Sequence, residues 1–333
     1  MKILLLGATG QIGYGLTSAL ARTEHNVTVL VRRTSDLQFP DTVSVVTEEE
    51  FTTDVFRRAL RDVDHVIYAI GLPEQFLFDD SLFDRVNCDL FESFLTALKA
   101  SSVRGLTYLS TYEVFALLDG KIVESDLVAD DSEMTTYSQS KVRAYRRLLA
   151  FEKQTNIQVT TIHPAAVYGG LDTGDGVTAY MRKLVNWEWY RVPFINPGVF
   201  PIIHVDSLVK LILASLNRPG AYIASDQMTS LDDISKALRK QTRSYTPVIM
   251  PLPVVKFGVL VMEAIARVVP IKPLTSSVQV AFLTRGWRPD STKAVRELSW
   301  TPMSLDEGCR RYLSKSGVRQ QVHEQALPHL AAG

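Results

Sequence analysis

The chain is expected to be an α/β protein built on a doubly wound parallel sheet, and three features lead there. Apolar, strand-like runs alternate with helical patterns through the first half. The first run ends in three glycines spaced three apart and then a helix. A second run follows at the distance a right-handed βαβ unit needs. After Gly169 the strict alternation lapses, and Pro- and Gly-rich joints appear at Tyr168 to Gly176, Val192 to Pro201, Arg218 to Gly220 and Pro247 to Pro253. These suit a smaller C-terminal lobe. The expected division is residues 1–168 as the Rossmann-type sheet domain and 169–333 as mainly the second lobe, with a stretch near 196–216 returning to the sheet domain.

The first strand, Ile3 to Leu6, is apolar throughout, as a strand covered on both faces must be. It runs into Gly7-Ala8-Thr9-Gly10-Gln11-Ile12-Gly13. Gly7 permits a tight turn, Gly10 lets a phosphate approach the backbone, and Gly13 lets the following helix (to Thr23) pack closely with its N-terminal amides facing an anion. A dinucleotide pyrophosphate fits there. The second strand, Val27 to Val31, ends in Arg32-Arg33, and no acid follows before Asp36. An acid about twenty residues past the glycines would hold a ribose 2′-OH, whereas a guanidinium pair suits a 2′-phosphate. NADP(H) is therefore expected over NAD(H). Further strands at Val43 to Val46, His65 to Ile70, Gly105 to Ser110 and Gln158 to His163 alternate with helices at Thr53 to Arg61, Ser81 to Ala100 and Ser138 to Thr155. The first and fourth strands should meet at the topological switch point, where open α/β sheets bind ligands.

With 333 residues, 46% apolar and 22% charged, the chain is long enough for one large domain and a smaller lobe. Its formal net charge of +0 offers no overall electrostatic case for nucleic acid or an anionic membrane. Cys88 and Cys309 make neither a disulfide framework nor a metal-ligand spacing. A reducing, cytoplasmic setting is expected, with no room for a signal peptide before the first strand. Lys256, Glu263 and Arg267 interrupt the apolar stretch from Pro251 to Pro270 at offsets that share one helical face. That stretch is expected to be a buried helix of the smaller lobe, with peripheral membrane contact as the other reading.

Tyr137-Ser138-Gln139-Ser140-Lys141 places a phenol and an ammonium at i and i+4, on one side of one helix. A phenol of pKa about 10 is a poor proton donor or acceptor at neutral pH, but a neighbouring cation favours its ionised form. Thr111, after Ser110 at the end of the fifth strand, can hydrogen-bond a substrate oxygen and orient it. Proton transfer at a substrate oxygen is the expectation.

Together these motifs resemble the extended short-chain dehydrogenase/reductases of the NAD-dependent epimerase/dehydratase type. Gly7, Gly10 and Gly13 match that family's glycine loop, and Ala69-Ile70-Gly71 matches the turn after its fourth strand. Asn87 matches the helix asparagine, Leu109-Ser110-Thr111 the segment with the catalytic hydroxyl, and Tyr137 and Lys141 the catalytic pair. His163-Pro164-Ala165-Ala166-Val167-Tyr168-Gly169, Ile203-His204-Val205-Asp206 and Lys293 through Pro302 match later markers. The resemblance implies that Tyr137 is the acid/base, that Lys141 lowers its pKa and holds the nicotinamide ribose, and that Thr111 positions the carbonyl. It implies cofactor contacts from Gly7, Thr9, Gly10, Gln11, Ile12, Gly13, Ala69, Gly71, Lys141, His163, Ala165 and Val167, joined by Arg32 and Arg33. Asn87 would be structural or help a water-linked proton path. A homodimer through the helices at 81–100 and 138–155 would follow family habit.

Val29 to Ser35 and the His163 to Gly169 segment are similar to the dihydroflavonol-reductase-like and steroid-dehydrogenase-like branch. The implied function is NADP(H)-dependent reduction of a ketone or aldehyde, or oxidation of the alcohol, on a small apolar substrate. Ala166 stands where nucleotide-sugar enzymes commonly carry Asn. Against this, Ser110 to Phe115 resembles the segment of nucleotide-sugar dehydratases in which a Glu acts as base. Glu113 is the counterpart here, read in the first instance as a solvated loop carboxylate. His163 is expected against the cofactor without a role in proton transfer. Glu48, Glu49 and Glu50 are expected either to meet adenine through one member or to be solvated. A catalytically silent NADP(H)-binding sensor on the same fold is the third reading.

Overall fold

A computed structural model describes residues 1–32, 37–73, 77–116, 121–126, 128–129, 134–172, 176–188, 190, 194–195, 198–269, 273 and 275–315. Its strands are β1 (Lys2–Leu6), β2 (Asn26–Arg32), β3 (Val43–Glu48), β4 (His65–Tyr68), β5 (Gly105–Leu109), β6 (Gln158–Pro164), β7 (Ala166–Tyr168), β8 (Phe194–Ile195), β9 (Val199–His204), β10 (Gly220–Ala224), β11 (Gln227–Ser230) and β12 (Val248–Ile249). Its helices are α1 (Gln11–Leu20), α2 (Thr53–Ala59), α3 (Ser81–Asp84), α4 (Leu90–Lys99), α5 (Thr136–Gln154), α6 (Gly176–Val185), α7 (Val205–Ser215), α8 (Leu231–Arg239), α9 (Leu252–Val268), α10 (Ser277–Thr284), α11 (Thr292–Leu298) and α12 (Leu305–Lys315).

Seven strands form one wholly parallel sheet in the order β3-β2-β1-β4-β5-β6-β10. The order reverses between β1 and β2 on one side and β4 on the other, so the switch point lies beside the glycine loop, as expected. Helices cover both faces. Leu4, Leu5 and Leu6 are consequently fully buried in the central strand, where alternation would leave one residue in two unprotected. α1 buries Gly13, Leu16, Thr17 and Leu20, the i, i+3, i+4, i+7 stripe that faces a sheet. α4 lays Phe91 and Phe94 on β4 and β5, with the Phe91 ring 4.5 Å from Tyr108 and the Phe94 ring 4.8 Å from Tyr68. α2 begins at Thr52, whose hydroxyl accepts the Val55 amide, and carries Asp54 early and Arg57 and Arg58 late, matching the helix dipole.

A second core gathers Tyr168, Met181, Leu184, Phe200, Ile202, Ile234, Leu238 and Cys309 from a three-stranded sheet (β11-β9-β7) and from α6, α8 and α12. A small third cluster, Val255, Val259 and Val280, joins α9 to α10. More chain returns to the sheet domain than the expected 196–216. α7, β10 and α11 all contribute to the first core, through Leu208, Ile212, Tyr222, Ile223, Ala294 and Leu298. The expected helix over 81–100 is interrupted by a π-helical turn, Arg85–Asp89, between α3 and α4. The expected burial of the 251–270 helix is overturned. α9 buries Val255, Val259, Glu263 and Ala266, whose side packs against α10 through Val280, while its apolar outer side is exposed.

Candidate active site

The glycine loop is held by contacts that leave no room for side chains. Gly7 has φ +89°, and a Cβ there would lie 2.6 Å from the Ala69 carbonyl carbon of the β4 turn. A Cβ on Gly13 would overlap the Gly7 carbonyl, so α1 packs on the turn itself. A Cβ on Gly10 would stay 3.5 Å from its neighbour, so the protein alone does not require glycine there. The bare backbone there leaves room for a phosphate. α1 opens at Gly10 with no side-chain cap and no acid in its first turn, which leaves the amides of Gln11, Ile12 and Gly13 for an anion beside the half-buried Thr9. The Gln11 side chain turns elsewhere, donating to Thr178 Oγ1 of α6 at 2.8 Å. Arg32 is exposed at the end of β2, and Arg33 lies outside the described residues. Glu48 pairs with Arg58 at 2.7 Å.

The β4 turn, the π-helical turn and α5 are tied into one unit. The Leu72 amide donates to Asn87 Oδ1 (2.9 Å), Asn87 Nδ2 donates to Ser140 Oγ (2.9 Å), and Ser140 Oγ donates to the Tyr137 carbonyl (2.7 Å). Both amide atoms of Asn87 are thus engaged, which makes it a structural tie at a local widening of the helix. α5 starts at Thr135, whose hydroxyl accepts the Ser138 amide. Its i, i+4 spacing puts Tyr137 and Lys141 together on the buried side. The Tyr137 ring packs edge-on against Phe83 of α3, 5.9 Å between centroids. Lys141 lies against Gly71, where an added Cβ would be 3.0 Å from the ammonium nitrogen. Burial pulls the Lys141 pKa down to about 8, partly opposed by Cys88 and Glu113.

Thr111 follows β5 and is buried. Its Oγ1 accepts the Glu113 amide at 3.3 Å, which leaves the hydroxyl proton available to a substrate oxygen. Ser110 Oγ beside it is buried with no hydrogen-bond partner among the described residues. Glu113 corrects the sequence reading. It is buried, not solvated, because Ser138 donates to its Oε2 at 2.5 Å and Arg285 pairs with the same oxygen at 3.3 Å. Burial raises its pKa, against the hydrogen bond from Ser138 and the charges of Arg285 and Lys141. The Arg285 guanidinium also stacks over Trp287, 5.0 Å from the ring centroid.

His163 also differs from expectation. Its ring is fully buried between Phe115 and Tyr145, and Nδ1 sits 3.0 Å from the Thr111 carbonyl. A carbonyl only accepts, so Nδ1 carries the proton and the side chain braces the Thr111 segment instead of lining an open cleft. Burial pushes its pKa down to about 4, which keeps the ring neutral. Ala165 is buried with its amide on the Ala224 carbonyl (2.8 Å), and Val167 is half-buried opposite Ile203. Sequence reasoning passed over Ser138 and Arg285. Ser138 carried a faint signal as the neighbour of Tyr137, and Arg285 carried none.

A nucleotide cradle beside a buried Tyr and Lys pair at the switch point defines a nicotinamide-dependent α/β enzyme. The chain belongs to the NAD dependent epimerase/dehydratase family, whose profile matches residues 3–226. It is 23% identical over 316 residues to sterol demethylase protein B of Methylococcus capsulatus, covering 91% of this chain and 94% of that one. It is also 23% identical over 317 residues to UDP-glucose 4-epimerase of Vibrio cholerae, covering 87% and 92%. Among solved structures, UDP-glucuronic acid 4-epimerase from Bacillus cereus, in complex with UDP-glucuronic acid and NAD, superposes with TM-score 0.73 at 17% identity, over 96% of this chain and 100% of that one. The last likeness concerns the fold. The family is one of oxidoreductases and epimerases that bind a nicotinamide cofactor, and the residues present here fit that cofactor. The close-packed Gly7 and Gly13, the uncapped start of α1 and the placement of Lys141 against Gly71 are the observations that carry the fit.

Proposed function

We propose that the protein reduces a ketone or aldehyde, or oxidises the corresponding alcohol, on a small, fairly apolar molecule, with NADP(H) preferred over NAD(H). The observation that carries this reading is the burial of Tyr137 and Lys141 on one face of α5, with the Lys141 ammonium against the Gly71 turn and the Thr111 hydroxyl free to donate. A nicotinamide held by the glycine loop and Lys141 would supply the hydride. The chain's own residues manage the proton and the geometry. Tyr137 gives its hydroxyl proton to the substrate oxygen in the direction of reduction and takes it back in the direction of oxidation. Thr111 hydrogen-bonds the same oxygen, and the Lys141 cation favours the ionised phenol left behind. The NADP(H) preference is supported by exposed Arg32 with Arg33 after it and by the absence of an acid before Asp36. The apolar substrate is supported by Ala166 at the strand where nucleotide-sugar enzymes carry Asn.

NADPH oxidation against a panel of ketones and aldehydes tests the reading. Turnover is expected, with Tyr137→Phe losing about 10²–10⁴-fold in kcat while NADPH affinity stays nearly unchanged. Equal turnover by the variant overturns the assignment of Tyr137. Tight NADPH binding without turnover of any substrate favours the sensor reading.

A second reading, a nucleotide-sugar epimerase or dehydratase with Glu113 as base, is favoured by the burial of Glu113 beside Ser138 and Lys141. Against it, the Oε2 atom is already held by Ser138 and Arg285. If UDP, dTDP or GDP raises the melting temperature, this second reading prevails, because only a ligand selective for the native state does so.

A further inference from the structure

The outer face of α9 is apolar and exposed, and we propose that it docks the protein on an anionic lipid bilayer surface. Along α9, Val254, Phe257, Leu260, Val261, Ile265 and Val268 recur at helical spacing, and Phe257 is 71% exposed, Leu260 59%, Ile265 58% and Val268 82%. The helix is inside out relative to a surface helix of a water-exposed lobe. Its one carboxylate, Glu263, is turned inward, where Oε1 accepts the Ser277 amide (2.7 Å) and hydroxyl (3.0 Å). The apolar band continues into β12, two residues upstream, where Val248 and Ile249 are exposed. Scattered exposed apolar residues are ordinary, but a contiguous band of this kind marks an interaction surface.

Charge decides the occupant. Lys256 and Arg267, eleven residues apart, fall on the same border of the apolar band, and both are exposed. An apolar face edged by cations and free of exposed acid is what lies in the headgroup region of an anionic leaflet. A second copy of the chain would bring no carboxylate from its own α9, since Glu263 is occupied inside. Spanning is a different matter, since no helix among the described residues is long and apolar enough to cross a membrane. The docking helix is linked to the candidate site through α10, which packs on α9 and is followed by Arg285, the partner of Glu113. The inference does not depend on the proposed substrate or cofactor preference.

Co-sedimentation of the full chain with vesicles tests it, comparing pure phosphatidylcholine with phosphatidylcholine containing phosphatidylglycerol at low ionic strength. The protein is expected in the pellet with the anionic vesicles and mostly in the supernatant with the neutral ones. Phe257→Ser with Ile265→Ser should lower the bound partition at least about tenfold. Lys256→Gln with Arg267→Gln should lose on the order of tenfold on anionic vesicles and little on neutral ones. All of these side chains are exposed, so circular dichroism should report unchanged folding. Failure of the wild-type chain to bind anionic vesicles overturns the proposal, as does binding by the Phe257→Ser, Ile265→Ser variant at the wild-type level. A dimer in light scattering that this variant dissolves, with no vesicle binding, assigns the face to a second copy instead.

Discussion

Lys141 carries a charge inside the protein, and that has a thermodynamic signature. Its pKa is held near 8 in the folded chain against 10.5 for the free side chain. Between those values the unfolded chain binds a proton that the folded chain does not, so this group makes stability rise as pH climbs from about 8 to 10.5. Lys141→Met removes that slope. Urea unfolding of both proteins at pH 8 and pH 10 should show a wild-type gain that the variant lacks, on the order of 2 kcal/mol. Arg32 is tested by affinity: Arg32→Ala with Arg33→Ala should weaken NADPH far more than NADH, and equal losses would remove these residues from 2′-phosphate recognition. The Tyr and Lys pair could be seen in the sequence because both members sit within one helical turn. The environment of Glu113 could not, because its two anchors are Ser138, 25 residues away, and Arg285, 172 residues away. His163 was misplaced for the same reason, since nothing local says that its ring turns to the Thr111 carbonyl.

At the level of elements, α5 is the part on which the site depends, and it is fixed at its first turn. Ser138 is completely buried between Thr135 and Glu113. Ser138→Ala should cost about 1–3 kcal/mol, the loss expected when a buried acceptor is left short of a donor. It should also lower kcat by shifting the turn that carries Tyr137. Chemical denaturation and steady-state kinetics check the two halves separately. The strands and helices of the sheet domain were readable from periodicity, usually to within one or two residues. The π-helical turn at Arg85–Asp89 was not, because a single added residue leaves the apolar spacing nearly intact. The orientation of α9 was hidden for another reason. Lys256, Glu263 and Arg267 share a helical face in sequence, but Glu263 goes inward to the amide and hydroxyl of Ser277, 14 residues on, while the two cations stay at the edge.

For the whole molecule, cofactor binding should appear as global stabilisation. NADPH at a hundred times its dissociation constant should add about 2.7 kcal/mol, read as a rise in melting temperature larger than that given by NADH at the same concentration. The doubly wound sheet was legible up to β6, and its last member was not. β10 is five residues long and follows the Arg218 to Gly220 joint, so it offers little pattern to read. Its position also bears on synthesis. Until Gly220 to Ala224 has been made, the β6 edge of the sheet stays unpaired on a growing polypeptide, with its amides and carbonyls open to other chains. At ribosomal rates of about 5–20 residues per second, the interval between completing β6 and completing β10 lasts on the order of several seconds. Arrested nascent chains ending before Gly220 are therefore expected to engage holdase chaperones strongly, and chains long enough to expose Ala224 outside the exit tunnel to be released from them.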